Sequence, residues 1–505
     1  MSAEQTIDTQ AVDNNDQRAV RMAKRAEIIA AGGQAYPVGV PRTHSLLQVR
    51  ELWEHLAPGE ETEDVVGVVA RVVFQRNTGK LCFATLQEGG PEGAGTRLQV
   101  MLSLAEVGQE SLDDFKHLVD LGDHVFIKGR VISSRRGELS IMATEWTMAS
   151  KALRPLPVLH ADLNEETRVR QRYADLIVRD EAREMIYKRS KITKAIRSVL
   201  DSHDYVEVET PMLQLVHGGA SARPFTTHMN AFDQDMTLRI ATELYLKRTV
   251  VGGIDRVYEI GRIFRNEGVD STHSPEFTTL ECYEAYGDQF VLAARMKEMV
   301  LAAADAIGAG RQIETPAGTI DLDGEWKWLS VYPALSEAVE QEITPETSEE
   351  VLRGIAEQHS VKLDPKWGAE KIVIELFGEI VEPTLLNPTF VYDYPPAAQP
   401  LARPHRSKPG VIEAWDLIIG GMERGTAFSE LIDPVIQRER LTEQSLLAAG
   451  GDDEAMSLDE DFLRALEYGA PPMGGLGLGI DRLVMLFTNV GIRETILFPL
   501  LKPEA

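Results

Sequence analysis

Residues 258–286 have the sequence YEIGRIFRNEGVDSTHSPEFTTLECYEAY, which predicts two strands joined by a polar loop. Polar and apolar side chains alternate over 256–266 and again over 277–286, and side chains two residues apart share a face of a strand. One face of this hairpin and its loop therefore carry an arginine, carboxylates, aromatic rings and a histidine: Arg265, Glu267, His273, Phe277, Glu281 and Tyr283. Burying such a set without a ligand is costly, which favours a binding site. A solvated sheet face would have the same composition and stays open as the alternative.

A second group of acidic residues lies in WDLIIGGMERGTAFSEL, residues 415–431. Asp416, Glu423 and Glu430 recur at intervals of seven, and a strand–turn–strand arrangement would bring their carboxylates near one another. Oxygen ligands of this kind suit Mg²⁺ that also contacts substrate phosphates. Three acids facing solvent would show the same spacing, so the spacing alone does not decide between the two.

A glycine-rich segment, GGLGLG at 474–479, precedes a predicted helix over 480–488 and places Arg482 in its first turn. It is not a dinucleotide-binding fingerprint, because its third glycine comes one residue early and no clear strand precedes it. We expect a tight glycine turn that lets backbones approach closely and positions an arginine, a side chain suited to pairing with phosphate oxygens. An ordinary turn, with Arg482 in a surface ion pair, is the alternative.

The N-terminal part predicts a small β-barrel. Five short strands over 64–150, with a short helix between the third and the fourth, fit an OB barrel, although other small barrels have a similar pattern. Three further segments are expected around it: a disordered acidic tail at 1–16, a basic helix at 17–33 that ends at Gly32-Gly33, and a linker at 151–180.

The formal net charge of −27 would argue against a nucleic-acid partner if it were evenly distributed. The charge is unevenly distributed, because residues 17–50 carry +5 whereas residues 281–505 carry −21.

The two cysteines, Cys82 and Cys282, are too few for a four-thiolate zinc site and suit a reducing cytosol. The sequence contains no run of 18 apolar residues, which is about the length needed to span a membrane. We therefore expect a cytoplasmic protein without a membrane partner.

A helix and a strand that ends at Pro211, the hairpin of residues 258–286 and the GxGxGxxR helix occur in that order. Together they resemble motifs 1, 2 and 3 of the class II aminoacyl-tRNA synthetases. The preceding barrel resembles the subgroup that charges Asp, Asn and Lys, and from about residue 17 to 503 the chain is similar to the bacterial lysyl-tRNA synthetases. The matching segments include KALRPLP, EVETPML, GGASARPF, HSPEFT and FSEL.

The resemblance implies an α+β fold with two main parts. An OB-fold anticodon-binding barrel at 61–150 would follow a basic helical extension at 17–60. After the linker, a catalytic domain at 181–505 would be built on a mostly antiparallel sheet flanked by helices. The implied enzyme joins lysine to ATP with release of pyrophosphate, and then transfers lysine to the 3′-terminal ribose of tRNA(Lys).

The family's site residues can be matched to positions of this chain. Arg265 and Arg482 match the catalytic arginines, and the ATP positions are Arg265, Glu267, His273, Phe277, Glu423 and Arg482. Asp416 and Glu423 match the positions that bind one to three Mg²⁺. The lysine positions are Gly219, Glu243, Arg265, Glu281, Tyr283, Thr426, Phe428 and Glu430. Carboxylates in that set favour a cationic substrate, since only buried acids offset the lost hydration of an ammonium group.

Arg76, Phe83 and Gln99 match positions that contact the anticodon, although alternation alone would place Phe83 in the barrel core. Pro211 matches a position on the two-fold axis of the family's homodimer. On this assignment the acidic part binds Mg-ATP and lysine while a local basic strip contacts the tRNA, so the salt dependence of tRNA binding should be shallow.

Three positions depart from the family's pattern: Thr426 replaces a frequent Asn, Thr242 replaces a usual Pro, and Asp416 replaces Glu.

Two other functions remain as alternatives to the lysine–tRNA ligase. A paralogue that uses the same adenylation to lysylate a protein would usually lack the anticodon barrel. A non-catalytic tRNA-binding relative would have lost the motif arginines, yet Arg265 and Arg482 are both present.

Overall fold

The computed structural model describes residues 4–157, 164–452 and 454–503. The chain divides into two compact units, Met1–Tyr187 and Lys188–Ala505.

A closed five-stranded barrel forms the centre of the first unit. Its strands are β1 (Glu61–Asn77), β2 (Leu81–Glu88), β3 (Thr96–Ser103), β4 (His124–Ser133) and β5 (Leu139–Ser150). They follow the order β1-β2-β3-β5-β4 around the barrel, and β3 pairs with β5 in parallel while the other pairs are antiparallel. Two short helices, α3 (Leu104–Val107) and α4 (Gln109–Leu118), lie between β3 and β4. The predicted OB barrel with its helix after the third strand is confirmed.

The helix α1 spans Glu4–Ala30 and so includes most of the segment predicted as a disordered tail over 1–16. Residues 1–3 lie outside the described residues. No glycine or proline precedes Gly32, so nothing in the sequence interrupts the helix earlier. The helix ends as expected, because Gly32 has a φ of 81° and the Gly33 N–H donates to Ile28 O at 2.9 Å. A second helix, α2 (Leu46–Trp53), precedes the barrel.

The predicted linker over 151–180 is largely helical where the structure describes it. Residues 158–163 of that segment lie outside the described residues, and α5 (Glu165–Arg170) and α6 (Arg172–Val178) follow. Charged side chains of this segment form a largely buried cluster. The carboxylate of Asp175 accepts hydrogen bonds from Arg172 Nη1 at 2.9 Å and from Arg179 Nε at 2.5 Å.

An eight-stranded sheet with the order β14-β15-β16-β17-β18-β11-β10-β6 is the framework of the second unit. Its strands are β6 (Val206–Glu207), β10 (Arg256–Phe264), β11 (Glu276–Ala285), β14 (Lys327–Ser330), β15 (Thr389–Tyr392), β16 (Ala414–Ile418), β17 (Glu423–Ser429) and β18 (Met473–Gly479). Only the β14–β15 and β10–β6 pairs are parallel, so the predicted mostly antiparallel sheet is confirmed. Two small sheets accompany it: β7 (Leu213–Gln214), β8 (Thr226–Met229) and β9 (Gln234–Leu238) in one, β12 (Gln312–Thr315) and β13 (Gly318–Asp321) in the other.

Helices flank this sheet, as the resemblance implies. They are α7 (Asp180–Ser202), α8 (Glu243–Val251), α9 (Gln289–Ala306), α10 (Val331–Ala338), α11 (Glu349–Gln358), α12 (Ala369–Ile380), α13 (Pro434–Ala449), α14 (Glu460–Glu467), α15 (Ile480–Thr488) and α16 (Ile492–Thr495). Among the described parts of the chain, no helix has both the length and the apolar character needed to cross a membrane.

The glycine-rich segment is a strand, not the expected turn. β18 pairs along its length with β11 on one side and β17 on the other, and only at Ile480 does α15 begin. Glycine is required here because side chains from the neighbouring strands lie over β18. A Cβ at Gly475 would lie 2.0 Å from Glu430 Oε1 and 2.3 Å from Tyr283 Cε1.

Candidate active site

A cavity of about 330 Å³ lies over the strands β11, β17 and β18 and beside the loop that follows β10. Every residue predicted to contact ATP or lysine lines it, except Glu430: Gly219, Glu243, Arg265, Glu267, His273, Phe277, Glu281, Tyr283, Glu423, Thr426, Phe428 and Arg482. The register explains this convergence, since Glu281 of β11 faces Gly477 of β18, which in turn faces Thr426 of β17. The sheet face predicted from the hairpin is therefore a concave surface and not a solvated one.

Three buried carboxylates lie at one end of the set. Glu281 Oε1 accepts the backbone N–H of Thr242 at 3.0 Å, and Tyr283 OH donates to Glu281 Oε2 at 3.4 Å. Glu243 Oε1 accepts from Lys247 Nζ at 2.6 Å, and Glu430 Oε2 lies 2.5 Å from the same ammonium. Glu430 Oε1 has no hydrogen-bond donor among the described residues. The group thus combines three acids with a single buried cation.

Burial raises the pKa of all three acids. The pKa of Glu430 rises to about 8, because burial and the charge of Glu243 outweigh the stabilising ammonium of Lys247. Burial and Glu243 likewise raise the pKa of Glu281 to about 7. Burial also raises the pKa of Glu243, against the effect of Lys247. A cationic ligand would relieve this repulsion.

Lys247 is a site residue that the sequence reasoning missed. Its side chain is 1% exposed, and it lies one helical turn after Glu243 on α8. The signal was available, because a glutamate and a lysine four residues apart share a helix face. What the sequence could not show is that this face is turned toward Glu430.

The two predicted catalytic arginines occupy different surroundings. The Arg265 guanidinium lies 5.4 Å from the centre of the Phe277 ring, and its Nε donates to Ile240 O at 3.4 Å. Burial lowers the pKa of Arg265, and the carboxylates of Glu267, Glu423 and Glu281 oppose that effect. Arg482 Nη1 donates to Glu423 Oε2 at 3.2 Å. Both cations therefore border an acidic cavity, where a cationic side chain can pair with an anionic ligand.

Two further charged residues fix the start of α15, and the sequence reasoning named neither. Arg424 Nη1 donates to Arg482 O at 2.8 Å, and burial together with Arg482 lowers the pKa of Arg424 to about 10. Asp481 Oδ2 accepts the Thr278 N–H at 2.6 Å, and Asp481 forms an ion pair with Arg189. These contacts fix the position of the backbone at Arg482, from which its side chain extends.

Asp416 and Glu423, the predicted metal ligands, lie on the neighbouring strands β16 and β17. Burial and the charge of Glu423 raise the pKa of Asp416 to about 7, while hydrogen bonds from Thr426 and Tyr394 lower it. Among the described residues, no group of three or more acidic, histidine or cysteine side chains could hold a metal ion by itself. Two repelling carboxylates nevertheless fit Mg²⁺, which keeps several waters and takes its remaining oxygens from phosphates.

Thr426 and Thr242, two of the departures from the family pattern, each form a hydrogen bond in the structure. Thr426 Oγ1 donates to Trp415 O at 3.2 Å, so its hydroxyl is tied to the sheet as well as facing the cavity. Thr242 provides the backbone N–H that Glu281 accepts, and a proline at this position would have no N–H to donate. The threonine thus adds a hydrogen bond to one of the buried acids.

Arg76, Phe83 and Gln99 share the outer face of the barrel. Arg76 pairs with Phe83 across β1 and β2, and its guanidinium lies 5.2 Å from the Phe83 ring centre. Phe83 is only partly buried, whereas its neighbours Cys82 and Ala84 point into the core. Phe83 therefore does not lie in the barrel core, where alternation alone would place it. Gln99 lies on β3 with the same outward orientation.

Comparisons with known proteins agree with this geometry. Residues 164–502 match the family model described as "tRNA synthetases class II (D, K and N)", and residues 64–149 match "OB-fold nucleic acid binding domain". A lysine–tRNA ligase of Kineococcus radiotolerans is 57% identical over 97% of this chain and 98% of its own. One of Mycobacterium tuberculosis is 53% identical over the full length of both. A lysylphosphatidylglycerol biosynthesis bifunctional protein of Mycobacterium avium is 45% identical, but the chain covers only 41% of it.

Proposed function

We infer that this chain, which belongs to the class II tRNA synthetases of the D, K and N type, is an ATP-dependent lysine–tRNA ligase. It activates L-lysine with ATP to lysyl-adenylate and pyrophosphate, and then transfers lysine to the 3′-terminal ribose of tRNA(Lys). The observation that carries the amino-acid specificity is the group of three acids at the pocket, of which Glu243 and Glu430 share the ammonium of Lys247 while Glu281 has no cationic partner at contact distance among the described residues. A pocket for aspartate or asparagine would need basic or amide groups at these positions.

The test is lysine-dependent exchange between ATP and pyrophosphate, followed by aminoacylation of tRNA(Lys). Lysine should support exchange, while aspartate and asparagine should not. Exchange without transfer would favour the protein-lysylating paralogue, and binding of tRNA without exchange would favour the non-catalytic relative. The barrel argues against the former, and the two arginines at the cavity argue against the latter.

The proposed roles in the first step follow from the charges at the cavity. The lysine carboxylate is already ionised, so its attack on the α-phosphorus needs no general base, and pyrophosphate leaves as the new C–O–P bond forms. Arg265 would bridge the substrate carboxylate and the α-phosphate, and Arg482 would bind the γ-phosphate. Phe277 would stack on adenine, with Glu267 and His273 beside the nucleotide. Glu243 and the Gly219 backbone would hold the α-ammonium, and Glu430, Glu281 and Tyr283 the ε-ammonium.

Asp416 and Glu423 would hold one to three Mg²⁺ together with ATP. The metal would supply positive charge that neutralises the leaving pyrophosphate. Replacing Asp416 by Asn should raise the Mg²⁺ concentration needed for half-maximal exchange by about tenfold, because one of two anionic ligands is lost. A magnesium titration at saturating ATP and lysine measures this. Asp433→Asn, on the exposed N-cap of α13, is the control. An unchanged magnesium requirement in the Asp416 variant would remove Asp416 from the metal site.

The outer face of the barrel is the proposed anticodon contact. Phe83 offers an aromatic surface for an unpaired base, with Arg76 beside it. Phe83→Ala should raise the KM for tRNA(Lys) about 5- to 100-fold, since stacking of one base contributes about 1–3 kcal/mol. Exchange of pyrophosphate needs no tRNA and should stay at the wild-type rate, which makes it the internal control. A wild-type KM for tRNA would assign Phe83 no role in recognition.

A homodimer is proposed from the segment around Pro211. Pro211 is exposed and is followed by the exposed apolar side chains Met212, Leu213 and Leu215. The nearby β6 forms one edge of the large sheet. An unpaired edge strand next to exposed apolar side chains is expected to be covered by another chain. We also propose that the enzyme acts in the cytoplasm, which suits its two free, buried cysteines.

A further inference from the structure

Lys247 is the one residue of the acid cluster that the proposed mechanism does not use. It projects from α8 and is among the largest fully buried side chains of the described chain. Its Nζ lies 2.6 Å from Glu243 Oε1 and 2.5 Å from Glu430 Oε2, so it bridges two elements of the pocket. Glu243 lines the cavity whereas Lys247 does not. The ammonium therefore contacts the carboxylates without lining the cavity.

A count of charges shows what this ammonium does. Glu243, Glu281 and Glu430 would carry three negative charges, and Lys247 offsets one of them. Lysine brings two ammonium groups, one on Cα and one at the side-chain end, while Arg265 faces its carboxylate. The filled pocket is then neutral, with each ammonium matched by a carboxylate. Without Lys247 the same three acids would exceed the charge of the ligand, and burial would drive a carboxylate to bind a proton.

We propose that Lys247 is a positioning residue that orients Glu243 and Glu430 and favours their ionised forms, so that the three carboxylates and this one fixed ammonium together match a ligand with two ammonium groups. The inference rests on the proposed function. The charged groups that face Lys247 are Glu243 on its own helix and Glu430 after β17, and Phe462 of α14 lies beside it with its ring centre 6.0 Å from Nζ. Lys247 lowers the pKa of both glutamates, which is the direction that the proposal requires.

The test replaces Lys247 by Met, which has a similar length and no charge. The pKa values of Glu243 and Glu430 should rise, so both bind protons at higher pH and lose affinity for ammonium. At neutral pH the KM for lysine should increase at least tenfold, with little change in the KM for ATP. The acidic limb of kcat/KM for lysine should move at least one unit to higher pH. A lysine that only supports the fold would reduce the amount of active enzyme and leave the pH of this limb unchanged, which would overturn the proposal.

Three comparisons complete the design. Lys194→Met removes an exposed lysine of α7 and should change neither KM nor the pH limb. Lys247→Arg retains the charge, so wherever it folds its limb should stay near wild type. Calorimetry in buffers of different ionisation enthalpy should show more protons released per lysine bound by Lys247→Met than by wild type, and equal release would contradict the proposal. Absence of lysine-dependent exchange in the wild type would instead refute the proposed function.

Discussion

Replacing Arg265 by Gln is expected to reduce the kcat of lysine-dependent pyrophosphate exchange by about 10³-fold. The guanidinium is held over Phe277 and by Ile240 O, at the border of a cavity rich in carboxylates. The substrate carboxylate and the α-phosphate are both anionic, so their approach needs a cation between them. Arg482 cannot substitute on the proposed assignment, because it would bind the γ-phosphate and its Nη1 lies beside Glu423. Arg265→Lys keeps the charge but loses the planar pair of donors, and its activity should lie between those of wild type and Arg265→Gln.

Arg262, three residues earlier on β10, provides a matched control. It pairs with Glu276 at 3.6 Å, where both side chains are partly exposed, and it does not line the cavity. Arg262→Gln should therefore keep exchange within about twofold of wild type, since a surface ion pair contributes little. Stopped-flow measurement of a single turnover would separate the chemical step from product release. A single-turnover rate of Arg265→Gln equal to that of Arg262→Gln would remove Arg265 from the reaction.

The hairpin of residues 258–286 shows which part of the site can be predicted from the sequence. Strict alternation places Arg265, Phe277 and Glu281 on one face, and the structure has all three at the cavity. The helix over 480–488 was equally predictable, because Asp481 and Arg482 stand in a first turn before a strongly apolar run. Such elements are specified by neighbours in the sequence, so local periodicity suffices.

What the sequence did not reveal depends on contacts between distant segments. Gly474–Gly479 has the composition of a loop, and it is a strand because its backbone pairs with β11 and β17, while Tyr283 and Glu430 lie over Gly475. Lys247 looks like a surface partner of Glu243 until the fold brings Glu430 to it. Both cases share a cause: the tertiary environment overrides a local preference at the site where ligand chemistry is concentrated.

Glu430→Gln is expected to lower kcat/KM for lysine by about 10²- to 10³-fold while leaving the KM for ATP nearly unchanged. The substitution keeps the shape of the side chain and removes one buried charge. Breaking a buried charge pair by removing one partner costs about 3–5 kcal/mol, which corresponds to that loss when the partner is the ligand's ammonium. Glu430 Oε1 has no other donor among the described residues, so the wild-type carboxylate has a free acceptor for the substrate. Glu423 and Arg482, which lie toward the phosphates on the proposed assignment, are not touched.

The pH dependence distinguishes this role from a general loss of packing. The folded-state pKa of Glu430, about 8, lies above its ordinary value, so in the free enzyme the ionised form that binds ammonium is favoured only as the pH rises. Wild-type kcat/KM for lysine should therefore increase between about pH 7 and 9, around the pKa of Glu430, and in Glu430→Gln that part of the increase should be lost. Glu276→Gln, at an exposed glutamate of β11, should retain the wild-type profile. A Glu430 variant that keeps both the rate and the pH profile would place the ε-ammonium on Glu281 instead, because Glu281 is the remaining buried acid without a cationic partner at contact distance.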